Sequence, residues 1–183
     1  MATIVEGDLL KCDSEMIVHQ GNCVTTFARG ICQFIFAKYP YAEVYKKRPA
    51  LSSDDEKLAK ERNEPGTIEV REPGKNKTGP VVACLMAQIA PGKPGVWARE
   101  YKINRAEDTV EKRLSYFKNC LVKLIHVVES RKIKMVAFPY LIGCGLAGGE
   151  WNVYLEEINR FAQFLPGVTV LIYRKPTAFD AEK

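Results

Sequence analysis

The sequence predicts a three-layer α/β/α sandwich around a mixed, mainly parallel central sheet of about six strands. Three observations predict it. Strand-like and helix-like segments alternate along the chain. One strand-like segment, Val81–Ile89, is nearly all apolar, as a strand is when helices cover both faces of its sheet. The 183 residues, 46% hydrophobic and 27% charged, suit one globular domain with a sizeable core.

The elements follow in order. Thr3–Glu6 is a short strand that ends at Gly7-Asp8, and Glu15–Gln20 is a second that enters a loop at Gly21-Asn22. Gly30–Tyr39 reads as a helix, with Ile31, Phe34, Ile35 and Lys38 at helical spacing and Pro40 ending it. Ser52-Ser53-Asp54-Asp55 reads as a helix start and Glu64-Pro65-Gly66 as a turn. Thr67–Val70 and Val81–Ile89 are strands, and a loop with Pro and Gly follows over 90–106, carrying Trp97 and Tyr101. Asp108-Thr109-Val110-Glu111 resembles a capping box and opens a helix to Ser130, with an apolar stripe of Val110, Leu114, Phe117, Leu121, Leu124 and Val128. Lys134–Phe138 is a strand, Trp151–Leu165 a helix with Leu155, Ile158, Phe161 and Leu165 inward, and Val168–Tyr173 a last strand. No repeat or linker divides the chain, so residues 1–183 are expected to form a single domain.

Several function classes fall away. No apolar run is long enough to span a bilayer, and the N-terminal residues lack a signal pattern, so no membrane role and a cytoplasmic location, with the nucleus also open, are expected. The six cysteines contain no C-x-x-C pair and only His19 and His126 accompany them, so neither a metal site nor a cofactor is expected. The net charge of +5 suits a small anionic ligand, but the basic residues are interspersed with acids. No dedicated nucleic-acid surface is expected.

Two loops between a strand and a helix stand out, because ligands of open α/β sheets bind where strands end. One runs from His19-Gln20-Gly21-Asn22 to Gly30-Ile31. The other is Ile142-Gly143-Cys144-Gly145-Leu146-Ala147-Gly148-Gly149-Glu150-Trp151. Its four glycines let main-chain amides approach an anion, and the next helix presents its positive end. Such a turn also occurs as mere tight packing, and the spacing is neither a Walker motif nor G-x-G-x-x-G.

These loops and both ends of the chain resemble the macro domain family, in the branch that processes ADP-ribose-1″-phosphate. Gly7-Asp8-Leu9-Leu10 resembles the family's early Gly-Asp-Ile/Leu signature, which implies that Asp8 and Leu9 bind adenine. His19-Gln20-Gly21-Asn22-Cys23 stands where many members have Asn-Ala-Ala-Asn, which gives Asn22 the distal ribose. Gly30-Ile31 resembles the end of the Gly-rich element beside that ribose. The 142–151 turn is similar to the diphosphate loop, so Gly143, Cys144, Gly145, Leu146, Ala147 and Gly148 are expected to bind phosphate. Leu171-Ile172-Tyr173-Arg174 resembles the last strand, with Tyr173 bordering adenine. The resemblance spans 4–39 and 134–174; the charged stretch of about 40–108 reads as an insertion that does not align.

The resemblance implies binding of ADP-ribose or a derivative, and leaves three classes open: a phosphatase on ADP-ribose-1″-phosphate, a hydrolase removing ADP-ribose from protein or nucleic acid, and a reader without chemistry. The first leads, with His19 managing a proton and Asn22 placing the ribose. The second is weakened because the lysine and aspartate of the glutamate-directed hydrolases fall on Gln88 and Ala147. Ala28-Arg29 replaces the usual glycines before Gly30, and Arg29 either meets a terminal phosphate or lies in solvent. His19 alternates with Ile17 in an apolar strand and suits a core histidine at least as well. Asp8 also suits a turn cap, although its place before Leu9-Leu10 favours adenine, and Tyr173 also suits a core aromatic, which is the favoured reading of Trp151.

Overall fold

In the computed structural model, residues 1–49, 62–75 and 77–176 are described. Six strands form one sheet: β1 (Thr3–Glu6), β2 (Met16–Asn22), β3 (Ile68–Arg71), β4 (Val81–Gln88), β5 (Met135–Pro139) and β6 (Thr169–Arg174). Their spatial order is β1-β6-β5-β2-β4-β3. Every pairing is parallel except that of β3 with β4. The α-helices among the described residues are α1 (Ile31–Lys38), α2 (Val110–Ser130) and α3 (Trp151–Phe164). The expected helix start at 52–55 lies outside the described residues.

The period of two along β2 explains the layers. Met16 and Val18 point to one face, where Leu85, Phe117, Leu124, Phe138, Ile158 and Phe161 join them under α2 and α3. Ile17 points to the other, with Val82, Ala137 and the α1 residues Cys32, Ile35 and Phe36. β4 is buried on both faces, which accounts for its apolar sequence. The stretch 40–108 thus supplies β3 and β4, an edge strand and an interior one.

Three local expectations shift. The inward face of α1 is Cys32, Ile35 and Phe36, and Phe34 is 54% exposed. Eight residues give too short a stripe to set a helix's rotation, and Phe36 is held by edge contacts to the His19 and Tyr45 rings. The cap of α2 is Thr109, whose hydroxyl accepts from the Lys112 amide, rather than Asp108. At the start of α2 Val110 is exposed and Arg113 is buried, so the apolar stripe begins with a charge.

β2 and β5 pair only at Met16↔Val136 and Ile17↔Ala137. Beyond that point β2 continues along β4 to Asn22, and β5 along β6 to Pro139. The sheet therefore parts between β2 and β5 at its C-terminal end, and both glycine-bearing loops leave from this gap.

Candidate functional site

The two loops meet. A Cβ placed on Gly30 would lie 3.5 Å from Leu146 Cδ1. Within the 142–149 turn the amides of Cys144, Gly148 and Gly149 are used internally, donating to Leu141, Gly145 and Gly143 carbonyls at 2.9, 3.2 and 2.9 Å. Among the described residues the amides of Gly143, Gly145, Leu146 and Ala147 have no such main-chain partner, and the last three are consecutive donors that an anion can use. Gly143 has φ +73°, and a Cβ there would be 2.4 Å from Tyr154 Cε1. A Cβ on Gly145 would meet nothing within 4 Å.

Asn22 organises the opposite loop. Its Oδ1 accepts from the amides of Val24 and Thr25 at 3.1 and 2.8 Å, a turn cap, and its Nδ2 donates to the Tyr45 hydroxyl at 3.5 Å. The Tyr45 hydroxyl accepts from the Asn22 amide at 2.9 Å. Arg48, stacked 4.3 Å over the Tyr45 ring, donates to the Thr25 and Asn22 carbonyls at 2.7 and 2.9 Å.

At the β1–β6 end, Asp8 Oδ1 accepts from the Leu10 amide at 3.0 Å, and Leu9 is buried beneath it. The Tyr173 ring lies 3.4 Å from the place of a Gly7 Cβ, and burial pushes its hydroxyl above the usual tyrosine range. Asp8 and Tyr173 flank one corner of the crest.

Lys93 closes the other corner. Its Cγ is 3.3 Å, and Pro94 Cδ 3.5 Å, from where a Gly148 Cβ would stand. Within the same 90–106 loop Tyr101 is buried with Cys23, Val24 and Met86, whereas Trp97 lies over Gly92 and is 43% exposed. Arg29 is exposed, with its guanidinium 5.4 Å from the Phe27 ring centroid. Gln88, at the end of β4, accepts from Gln20 Nε2 at 2.7 Å and donates to the Ala90 carbonyl at 3.0 Å.

A shallow hollow at the other end of the sheet is lined by side chains of both signs, Glu15, Glu72, Arg131 and Lys132.

No family model matches the chain. The fold does find relatives: the solved macrodomain of Mycobacterium tuberculosis DarG superposes with a TM-score of 0.70 at 25% identity, covering 97% of this chain and 99% of that one. The chain has the macro domain fold. The macrodomain of Thermus aquaticus DarG superposes at 0.68 with 19% identity, over 95% of this macro domain and 98% of that chain. A Thermosipho africanus DarTG structure, in complex with ADP-ribose, superposes at 0.63 with 16% identity, over 96% of this chain and 42% of that one. Two curated relatives, DNA ADP-ribosyl glycohydrolases of Mycobacterium bovis and Mycobacterium tuberculosis, are each 28% identical over 174 residues, 94% of this macro domain. The chain spans 42% of their length.

One placement corrects an expectation for this macro domain. His19 does not face the gap: it is fully buried on the α1 face, its Nδ1 3.3 Å from Cys32 Sγ and its ring edge-on to Phe36. Burial pulls its pKa down to about 4, against a smaller opposing effect of a backbone hydrogen bond. The period of two that places Ile17 inward carries His19 with it. Sequence reasoning passed over Lys93, Arg48 and Arg113. The signals for two of them are a lysine inside Gly92-Lys93-Pro94-Gly95 and, for Arg113, a place four residues before Phe117 on an apolar stripe; Arg48 carries none.

Proposed function

We propose that this macro domain binds ADP-ribose across the β2–β5 gap and hydrolyses the bond joining its distal ribose to DNA. The observation that carries the reading is the contact of the two loops at Gly30 and Leu146 with Lys93 packed beside Gly148. Adenine lies at the Asp8 and Tyr173 corner, and the diphosphate over the amides of Gly145, Leu146 and Ala147, backed by the N-terminus of α3. The distal ribose then falls between Asn22 Nδ2, Gly30 and Lys93.

In the reaction water adds to C1″ of the ribose and the bond from C1″ to the macromolecule breaks. The Lys93 ammonium gives a proton to the leaving atom, and the proton lost by water restores it. The curated DNA ADP-ribosyl glycohydrolases support a DNA leaving group. The lysine missing at Gln88 is replaced by one on the neighbouring loop. The phosphatase reading depended on His19, whose burial and lowered pKa remove its access to substrate.

The test is ADP-ribose release from an ADP-ribosylated single-stranded oligonucleotide, run beside an ADP-ribosylated protein and ADP-ribose-1″-phosphate. Release from the oligonucleotide is expected, with a loss on the order of 10² to 10⁴ in Lys93→Ala. Phosphate release without oligonucleotide cleavage would restore the phosphatase.

A further inference from the structure

We infer that the buried Asp108–Arg113 ion pair is a positioning device that holds the Lys93 turn against the diphosphate turn. The inference rests on the role given to Lys93 above.

Arg113 is 2% exposed and Asp108 1%. All five guanidinium N–H groups have acceptors. Nε and Nη2 donate to the two Asp108 carboxylate oxygens at 2.8 and 2.9 Å. Nη2 also donates to the Ala90 carbonyl at 3.2 Å, and Nη1 to the Gly92 and Ala147 carbonyls at 2.6 and 3.1 Å. Asp108 Oδ2 in turn accepts from the Gly95 amide at 3.0 Å.

The atoms grasped are those on which the site depends. Gly92 and Gly95 bracket Lys93-Pro94, and both have left-handed φ, a conformation that glycine adopts without strain. Gly92 and Gly95 are tied to the pair from either side, and Ala147 belongs to the turn whose amides face the anion. One planar group therefore joins the start of α2, the Lys93 turn and the diphosphate turn. An ammonium has three donors and cannot reproduce a planar fork of five. A buried pair of this kind is weak evidence for stability, since apolar residues of similar volume often serve as well. Its geometric content is what an apolar replacement would lose.

The experiment uses the full chain with Arg113→Lys, Asp108→Asn, Lys93→Ala and the Arg113→Lys/Lys93→Ala double variant. ADP-ribose affinity, single-turnover release from the ADP-ribosylated oligonucleotide, thermal melting and amide hydrogen exchange are measured for each. Arg113→Lys is expected to melt cooperatively and to lose on the order of 10² in release rate, against about a tenfold loss in affinity. In the Lys93→Ala background the same change is expected to add little, because the misplaced group is already gone. Exchange is expected to rise at 91–95 and 145–149 while β4 and β5 stay protected. Equal rate losses with and without Lys93, or unchanged exchange in both turns, would overturn the inference. Asp108→Asn, which keeps the shape, decides the case if Arg113→Lys fails to fold. If the unaltered protein releases no ADP-ribose, the hydrolase reading fails, and exchange with ADP-ribose affinity still decides whether the pair positions the turns.

Discussion

At the scale of single residues, burial decides what a titratable group can do. His19 has the residue type of an acid–base catalyst, yet the 16–18 run that makes β2 a core strand encloses it as well. Its contribution shows in stability. With a folded pKa of about 4 against an ordinary 6.5, the unfolded chain takes up a proton first as pH falls. Stability is full above pH 6.5 and declines between there and about 4, by about 3 kcal/mol for this group. Urea unfolding across that window is expected to show the decline, and His19→Leu to flatten it. An equal slope in the variant would assign the pH dependence to other groups. Asn22 makes the complementary point: the sequence pattern located it at the gap, but two loop amides occupy its carbonyl oxygen and its amide nitrogen donates to the Tyr45 hydroxyl.

Elements turn these residues into a site. The 142–149 turn combines glycines of two kinds, which its sequence does not separate. Gly143 is required by the fold, because a side chain there would run into Tyr154. Gly145 is free of neighbours, so a side chain there would meet no protein atom and only a ligand at the proposed phosphate position. Gly145→Val is therefore expected to melt like the unaltered protein and to lose ADP-ribose binding by an order of magnitude or more. Gly143→Val is expected to lose several degrees of melting temperature, since overpacking costs about 1–3 kcal/mol. Normal ADP-ribose binding by Gly145→Val in calorimetry would place the diphosphate elsewhere. The helices show the same division. The α2 stripe from Phe117 to Val128 is buried as its 3.6-residue period requires, whereas the first turn, at Val110 and Arg113, follows the carbonyls of the adjacent loop.

For the whole molecule, the sheet parts between β2 and β5, and the proposed binding there would couple to stability. A ligand that binds only the folded protein raises its unfolding free energy, by about 2.7 kcal/mol at a hundredfold excess over Kd. ADP-ribose is expected to raise the melting temperature in step with its concentration, and inorganic phosphate to do so far less. No shift at millimolar ADP-ribose would contradict the binding reading. The alternation of apolar runs and the two glycine turns were legible in the sequence because local period and local backbone need are written in adjacent residues. They determined the sheet, its helical layers and the neighbourhood of Asp8, Asn22 and Gly143–Gly148. Only the tertiary structure decided that His19 turns inward, that Lys93 reaches the 142–149 turn and that Arg113 binds three segments at once. Those outcomes depend on contacts between residues up to 55 positions apart in sequence, Lys93 and Gly148 among them, and a local pattern carries no record of such meetings.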